Sequence, residues 1–257
     1  MYKAWKDWNK DIPGNFISTK VTLCPENLPY LHTIFKFFIS EGCTEIFANP
    51  IYEHEWTLEE AKLYYKQLIQ LADDSLKDGI EYSSLFDYRH GYPLTTTDTH
   101  NWCGGTSAML AFDPQGLAYP CLRYMPSALP EDCPPLVIGD VNGIYKTPEA
   151  KALKCELCAV TRQSQSTKEC LDCHIASGCA WCSSWNYQSL GTVNKRSTNI
   201  CWMHRARSLA NVYYWNMYYH NISSERRVAL NLSRDIATQI ISDEEYDKLI
   251  ILSLAGW

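Results

Sequence analysis

The chemistry of this sequence is concentrated in its cysteines: twelve occur in 257 residues, and ten of those fall between Cys103 and Cys201. The densest run is Cys170-Leu171-Asp172-Cys173, five further residues, then Cys179-Ala180-Trp181-Cys182, with Cys201 downstream. Two Cys-x2-Cys pairs this close put thiolates within reach of a shared metal centre, either zinc or iron–sulfur. A second group is Cys103-Gly104-Gly105, then Gly116, then four residues to Cys121. Glycine beside a thiolate ligand lets backbone N–H groups approach a cluster sulfur. Cys155 and Cys158 make a further Cys-x2-Cys, which reads as core cysteines on a helix or as the zinc partner of Cys170 and Cys173. His174, next to Cys173, is a candidate fourth ligand of a Cys3His zinc site or an exposed loop residue. Cys24 and Cys43 stand alone. No Ser-His-Asp arrangement and no phosphate loop is present.

Alternating strands and helices should carry the first ninety residues. The β-branched run Ser18 to Leu23 suits a buried strand. A helix opening at Pro25, Glu26 and Asn27 follows, with Leu28, Leu31, Ile34, Phe35 and Phe38 at helical spacing and Gly42 as its stop, before a strand from Cys43 to Phe47. Thr57 and Glu60 have the spacing of a capping box, and the helix they open ends at Gly79. Glu59-Glu60 is helix-start chemistry and not a catalytic dyad.

From Thr95 the texture changes to short strands and turns. Met109 to Phe112 and Leu117 to Tyr119 flank the turn Asp113-Pro114-Gln115-Gly116, a hairpin that folds Cys121 back toward Cys103. Thr147-Pro148-Glu149 opens the helix that carries Cys155 and Cys158. Thr198 or Asn199 is placed to cap a long helix with Cys201 in its first turn, and the stripe of tyrosine and tryptophan from Tyr213 to Tyr219 reads as core. A polar helical tail follows from about Ser223.

Composition bounds the partners. With 46% apolar residues and 20% charged, the chain can bury a substantial core. Twenty-nine acidic against 23 basic residues give a net charge of −6, which lacks the basic footprint of a nucleic-acid binder. No apolar run approaches the roughly 18 to 20 residues that span a bilayer, and the opening Met1-Tyr2-Lys3-Ala4-Trp5-Lys6 is no secretory signal. The expectation is a cytoplasmic protein without nucleic-acid or membrane partners, whose cysteines serve metal and not disulfides.

Taken together, Cys103, Gly116, Cys121, Cys170, Cys173, Cys179, Cys182 and Cys201 resemble the seven-cysteine pattern of the SPASM domain of radical S-adenosylmethionine (SAM) enzymes. The likeness spans about half of the chain. The words Tyr119-Pro120-Cys121-Leu122-Arg123-Tyr124 and Thr198 to Tyr219 are similar to the C-terminal part of radical SAM maturases that form thioether links in cysteine-containing precursor peptides. The resemblance implies a partial radical SAM (β/α) barrel over 1–94, a SPASM domain with a β-hairpin over 95–205, and a C-terminal helical extension over 206–257: α/β followed by α+β.

It further implies two auxiliary iron–sulfur clusters, of the four-iron kind. Cys103, Cys121 and Cys182 would hold the first, and Cys170, Cys173, Cys179 and Cys201 the second, with Cys179 and Cys182 facing different clusters. Arg123, Lys195, Arg196, Arg205 and Arg207 would offset their negative charge or are ordinary surface cations. Fully ligated relatives carry an extra cysteine where Thr97 stands, so the first cluster would have three protein ligands and an open iron for a substrate thiolate. The last Cys-x2-Cys is one residue shorter than the commonest form.

The Cys-x3-Cys-x2-Cys motif that binds the SAM-cleaving cluster is missing. SAM and a third four-iron cluster would therefore belong only to a complete enzyme, one that makes a 5′-deoxyadenosyl radical and abstracts hydrogen from a peptide. The expected partners are a precursor peptide and the missing N-terminal radical SAM half, and the chain is expected to be inactive alone. Two alternatives compete: a zinc-stabilised binding module, and a cluster-bearing fragment that binds the peptide without catalysis.

Overall fold

The computed structural model describes Ala4, Asp7 and residues 18–43, 45–79, 85–95 and 103–254. The chain divides into two compact units, Met1–Tyr92 with Ile200–Trp257, and Pro93–Asn199. In this division the C-terminal segment from Ile200 groups with the N-terminal one.

The strands β1 (Ser18–Leu23) and β2 (Glu45–Pro50) pair in parallel with Val21 opposite Ala48. Their alternation is one-sided. Val21, Leu23, Ile46 and Ala48 are buried, whereas Lys20, Thr22, Phe47 and Asn49 are exposed. Between them runs α1 (Leu31–Ser40), which begins later than its sequence signal. Residues 25–27 form a turn because Cys24 N–H bonds the Asn27 side chain at 2.9 Å, and a 3-10 turn at Leu28–Tyr30 leads into the helix. The helix α2 (Leu58–Asp78) has the expected capping box: Glu60 N–H donates to Thr57 Oγ1 at 3.3 Å and Thr57 N–H to Glu60 Oε2 at 2.8 Å. Gly79, at φ 68°, ends it. Cys43 shares a 3.3 Å hydrogen bond with Thr19. Cys43 and Cys24 thus serve the strand ends.

In the second unit, β3 (Ala111–Phe112), β4 (Leu117–Tyr119), β5 (Gly139–Asp140) and β6 (Gly143–Ile144) form an antiparallel sheet in sequence order. Asp113 organises the first turn by accepting from the N–H groups of Gln115 and Leu117 and from the Tyr119 hydroxyl, at 3.0, 2.9 and 2.7 Å. Burial raises the Asp113 carboxyl, but these donors together hold it below its ordinary range. Gly116, at φ 82°, closes the turn. Four helices follow: α3 (Pro148–Ala159), capped by Thr147, α4 (Arg162–Gln165), α5 (Lys168–Leu171) and α6 (Ser183–Leu190).

The long helix α7 (Cys201–Asn221) returns the chain to the first unit and packs along α2, where Ser75 Oγ donates to Tyr214 Oη at 3.2 Å. Neither Thr198 nor Asn199 caps it. Its N-cap is Ile200, which offers no side-chain bond, and Asn199 Oδ1 is taken by the Ser197 hydroxyl at 2.8 Å. The expected helical tail is interrupted. Asn216 clamps Val228 N–H and C=O, both at 2.9 Å, and only α8 (Arg234–Ala237) and α9 (Asp243–Leu254) follow. Among the described residues there is no closed barrel, and no helix is long and apolar enough to cross a membrane.

Candidate metal centre

Three of the seven cysteines singled out by sequence converge in the core of the second unit. The hairpin delivers Cys121 immediately after β4, and Cys121 is buried together with Tyr119, Tyr124, Leu157, Val160, Trp181 and Val193. Cys103 packs against the same group from its place before the 3-10 turn Gly104–Thr106. Cys182 is the N-cap of α6, and its Sγ accepts from Trp185 N–H at 3.5 Å. Ser183, next along, shares a 3.1 Å hydrogen bond with Cys103 Sγ, and Ser184 Oγ donates to the Arg123 carbonyl at 2.6 Å. The start of α6 is thereby tied to both other cysteine segments.

The electrostatics of the three sulfurs are shared. Burial pushes the Cys121 thiol up; the Arg123 N–H, 3.4 Å from Sγ, opposes this, and the nearby Cys103 adds to it. Burial likewise pushes Cys182 up, against the pull of the Arg123 guanidinium and the Trp185 N–H. Tyr124 is fully buried, its phenol raised first by burial and further by Cys103, Cys121 and Cys182. Burial thus favours the neutral thiols of Cys121 and Cys182, while the Arg123 guanidinium and the backbone donors of Arg123 and Trp185 would favour the charge that a metal draws out.

Gly105 neighbours this group: a methyl group there would stand 3.4 Å, about van der Waals contact, from Cys121 Sγ and from Ser183 Oγ. The donor set of thiols without carboxylates, with N–H groups on Cys121 and Cys182 and glycine beside one of them, fits a cysteine-ligated iron–sulfur cluster.

The remaining cysteines are arranged differently. Cys170, in α5, donates its N–H to the capping Thr167 Oγ1, and Cys173 and Cys179 sit on the turns that follow. All three are half-buried. Their segment is pinned through its carbonyls: the buried Arg162 donates to Ala176 O, and the buried Arg196 to Cys179 O at 2.6 Å and Ala180 O at 3.2 Å. Cys201 opens α7 in the first unit. Arg205 covers the Trp202 ring at 4.4 Å, Arg207 donates to Leu85 O at 2.8 Å, and Lys195 is exposed, so each has other surroundings. Thr97 lies outside the described residues. Among the described residues no three His, Cys, Asp or Glu side chains are gathered for one bare metal ion. A polynuclear cluster, whose iron and sulfide core separates its thiolates, makes a different demand.

Sequence reasoning missed Ser183, Ser184 and the buried Arg162. The two serines were legible as the first turn of a helix behind Cys182. Arg162 carries no such signal, because arginine is almost never fully buried. Comparison with protein-family models, curated proteins and solved structures finds no match for this chain.

Proposed function

We propose that this chain binds two auxiliary iron–sulfur clusters as the SPASM-like part of a radical SAM enzyme that modifies a ribosomal peptide by thioether formation. The observation that carries the reading is that Cys121 and Cys182 are buried and, with the half-buried Cys103, lie around the same buried Tyr124. In the four-iron form the first cluster would sit there, and by resemblance the second would use Cys170, Cys173, Cys179 and Cys201. When bound, such clusters supply electron transfer or a binding point for a peptide thiolate.

The protein's own residues would tune the first cluster. Arg123 offsets its charge, the N–H groups of Arg123 and Trp185 bond its sulfurs, and Tyr124 with Trp181 keeps water away. With no Cys-x3-Cys-x2-Cys in the sequence, SAM cleavage is assigned to a radical SAM half outside these 257 residues. We place the protein in the reducing cytoplasm, acting on a precursor peptide.

Anaerobic purification with iron, sulfide and zinc analysis and a visible spectrum tests the proposal. Brown protein with roughly eight irons and eight sulfides is expected of two four-iron clusters. Colourless, folded protein carrying zinc would replace it with a zinc-stabilised binding module.

A further inference from the structure

We propose that Cys155 and Cys158 form a reversible dithiol–disulfide site on the surface of α3, distinct from the seven cysteines assigned to clusters and independent of that reading. They are not core cysteines. Of the twelve cysteines these two are the exposed ones, and Leu157 and Val160 take the buried face of the helix instead. Three residues apart on one α-helix, they have Cα atoms about 5 Å apart, inside the range of about 4.4–6.8 Å that a disulfide spans. Their Cβ atoms, at about 5–6 Å, must close to about 4 Å. That distortion falls on the last turn of the helix, where Val160 N–H already bonds to Leu157 O only three residues back, and on a face open to solvent. A bridge that is both exposed and strained is readily reduced again, which suits a redox-responsive pair and not a structural disulfide.

The surroundings favour an acidic disulfide such as oxidised glutathione as the oxidant. Lys151 and Lys154, both exposed, stand four positions before Cys155 and Cys158 and so one turn away on the same faces. Lys154 Nζ lies 5.0 Å from the centre of the Tyr145 ring, and the Tyr145 phenol is raised first by burial and then by Cys158, which places cation and thiol beside one ring. One cysteine sulfur attacks the glutathione disulfide and expels a glutathione thiol, and the other cysteine displaces the second. One S–S bond replaces another, both cysteine protons leave on the two glutathione thiols, and two electrons pass from protein to glutathione. Oxidation also takes away the hydrogen that the Cys158 thiol donates to Thr106 O at 3.8 Å. Thr106 N–H and hydroxyl both donate to the Cys103 carbonyl, at 3.1 and 2.9 Å, so the two redox forms differ at the turn that follows Cys103.

The full chain, metal-free and under argon, is equilibrated in buffers of rising oxidised-to-reduced glutathione ratio, quenched with N-ethylmaleimide and digested with trypsin. Cleavage after Lys154 and Arg162 releases a peptide from Cys155 to Arg162 that holds these two cysteines and no other. In reduced protein this peptide should carry two maleimide groups. As the ratio rises it should lose both labels together and become lighter than the unlabelled dithiol by two hydrogen atoms, and excess reduced glutathione should restore the doubly labelled form. In Cys155→Ser and Cys158→Ser the remaining cysteine should instead hold glutathione as a lasting mixed disulfide. Because both side chains are on the surface, neither exchange should lower the urea midpoint. A native peptide that carries glutathione without an internal bridge, that is bridged to a cysteine outside it, or that stays doubly labelled in oxidised glutathione alone overturns the proposal. None of these outcomes bears on the cluster reading, because the measurement is made without iron.

Discussion

The two cysteine regions of the second unit are built by different forces. Around Cys103, Cys121 and Cys182 the positions are set by packing: apolar and aromatic side chains surround the sulfurs, and α6 is bonded to both neighbouring segments. Around Cys170, Cys173 and Cys179 they are set by backbone, through a short helix, two turns and arginines that grip carbonyl groups. A packed pocket keeps its shape without ligand, because interiors are dense and resist rearrangement. Thiols on turns stay half-exposed and depend on a metal to draw them together. The first region is held by its packing, and the second by its backbone.

Exchanging one cysteine in each region is the sharpest way to break that contrast. Cys121→Ser places a hydroxyl in an apolar core and should cost the metal-free protein about 1–3 kcal/mol, seen as a lower urea midpoint. Cys170→Ser should change it by no more than about 0.5 kcal/mol. On the proposed two-cluster reading, which assigns them to different clusters, each should remove about half of the iron from reconstituted protein, about four of roughly eight atoms. Equal destabilisation by the two exchanges would erase the distinction between the two regions.

Arg196→Met sharpens the second half of the comparison. It leaves the carbonyls of Cys179 and Ala180 without the guanidinium that now meets them. These part-buried bonds come from a charged donor, and hydrogen bonds to charged groups contribute about 1.5–3 kcal/mol, so metal-free stability should fall by that order, and iodoacetamide should reach Cys179 faster. Unchanged labelling of Cys179 would show that the turn sequence alone fixes this segment.

Local structure was legible in the sequence wherever a short signal decides it. The Thr57 and Glu60 box, the Gly79 stop and the Asp113 to Gly116 turn are each closed by residues within a few positions. What could not be read depends on partners distant in the chain. The proline-rich loop hides the β5–β6 hairpin, whose Gly139 and Gly143 have positive φ and pass so close that a methyl group on Gly139 would meet Gly143 O at 2.3 Å. Thr198 and Asn199 read as caps, but the bond by which the Ser197 hydroxyl takes up Asn199 Oδ1 was invisible. Within the site, the spacing marked all seven cysteines equally. Only tertiary packing shows that Cys103, Cys121 and Cys182 lie around one buried tyrosine, Tyr124, and that the Cys158 thiol bonds to the turn behind Cys103.

The smallest effect is a pH dependence, and its sign follows from the raised thiols of Cys121 and Cys182. A thiol raised by folding keeps its proton in the native state after the unfolded chain has lost it. Its stabilising contribution is fully present below the unfolded value of about 8.5 and is lost as pH rises toward the native value. Buried tyrosines, raised in the same way, enter only above the ordinary phenol value of about 10. Between these two limits the decline in metal-free stability therefore belongs to the thiols. Urea denaturation across that window should show a slope that shrinks in Cys121→Ser and persists in Cys170→Ser. It should shrink in reconstituted protein, where ligated sulfurs carry no proton in the native state and only a non-ligand thiol such as Cys133, also raised by burial, keeps its share. A slope that survives Cys121→Ser intact would place the titration outside the packed pocket and remove the energetic basis for setting that region apart.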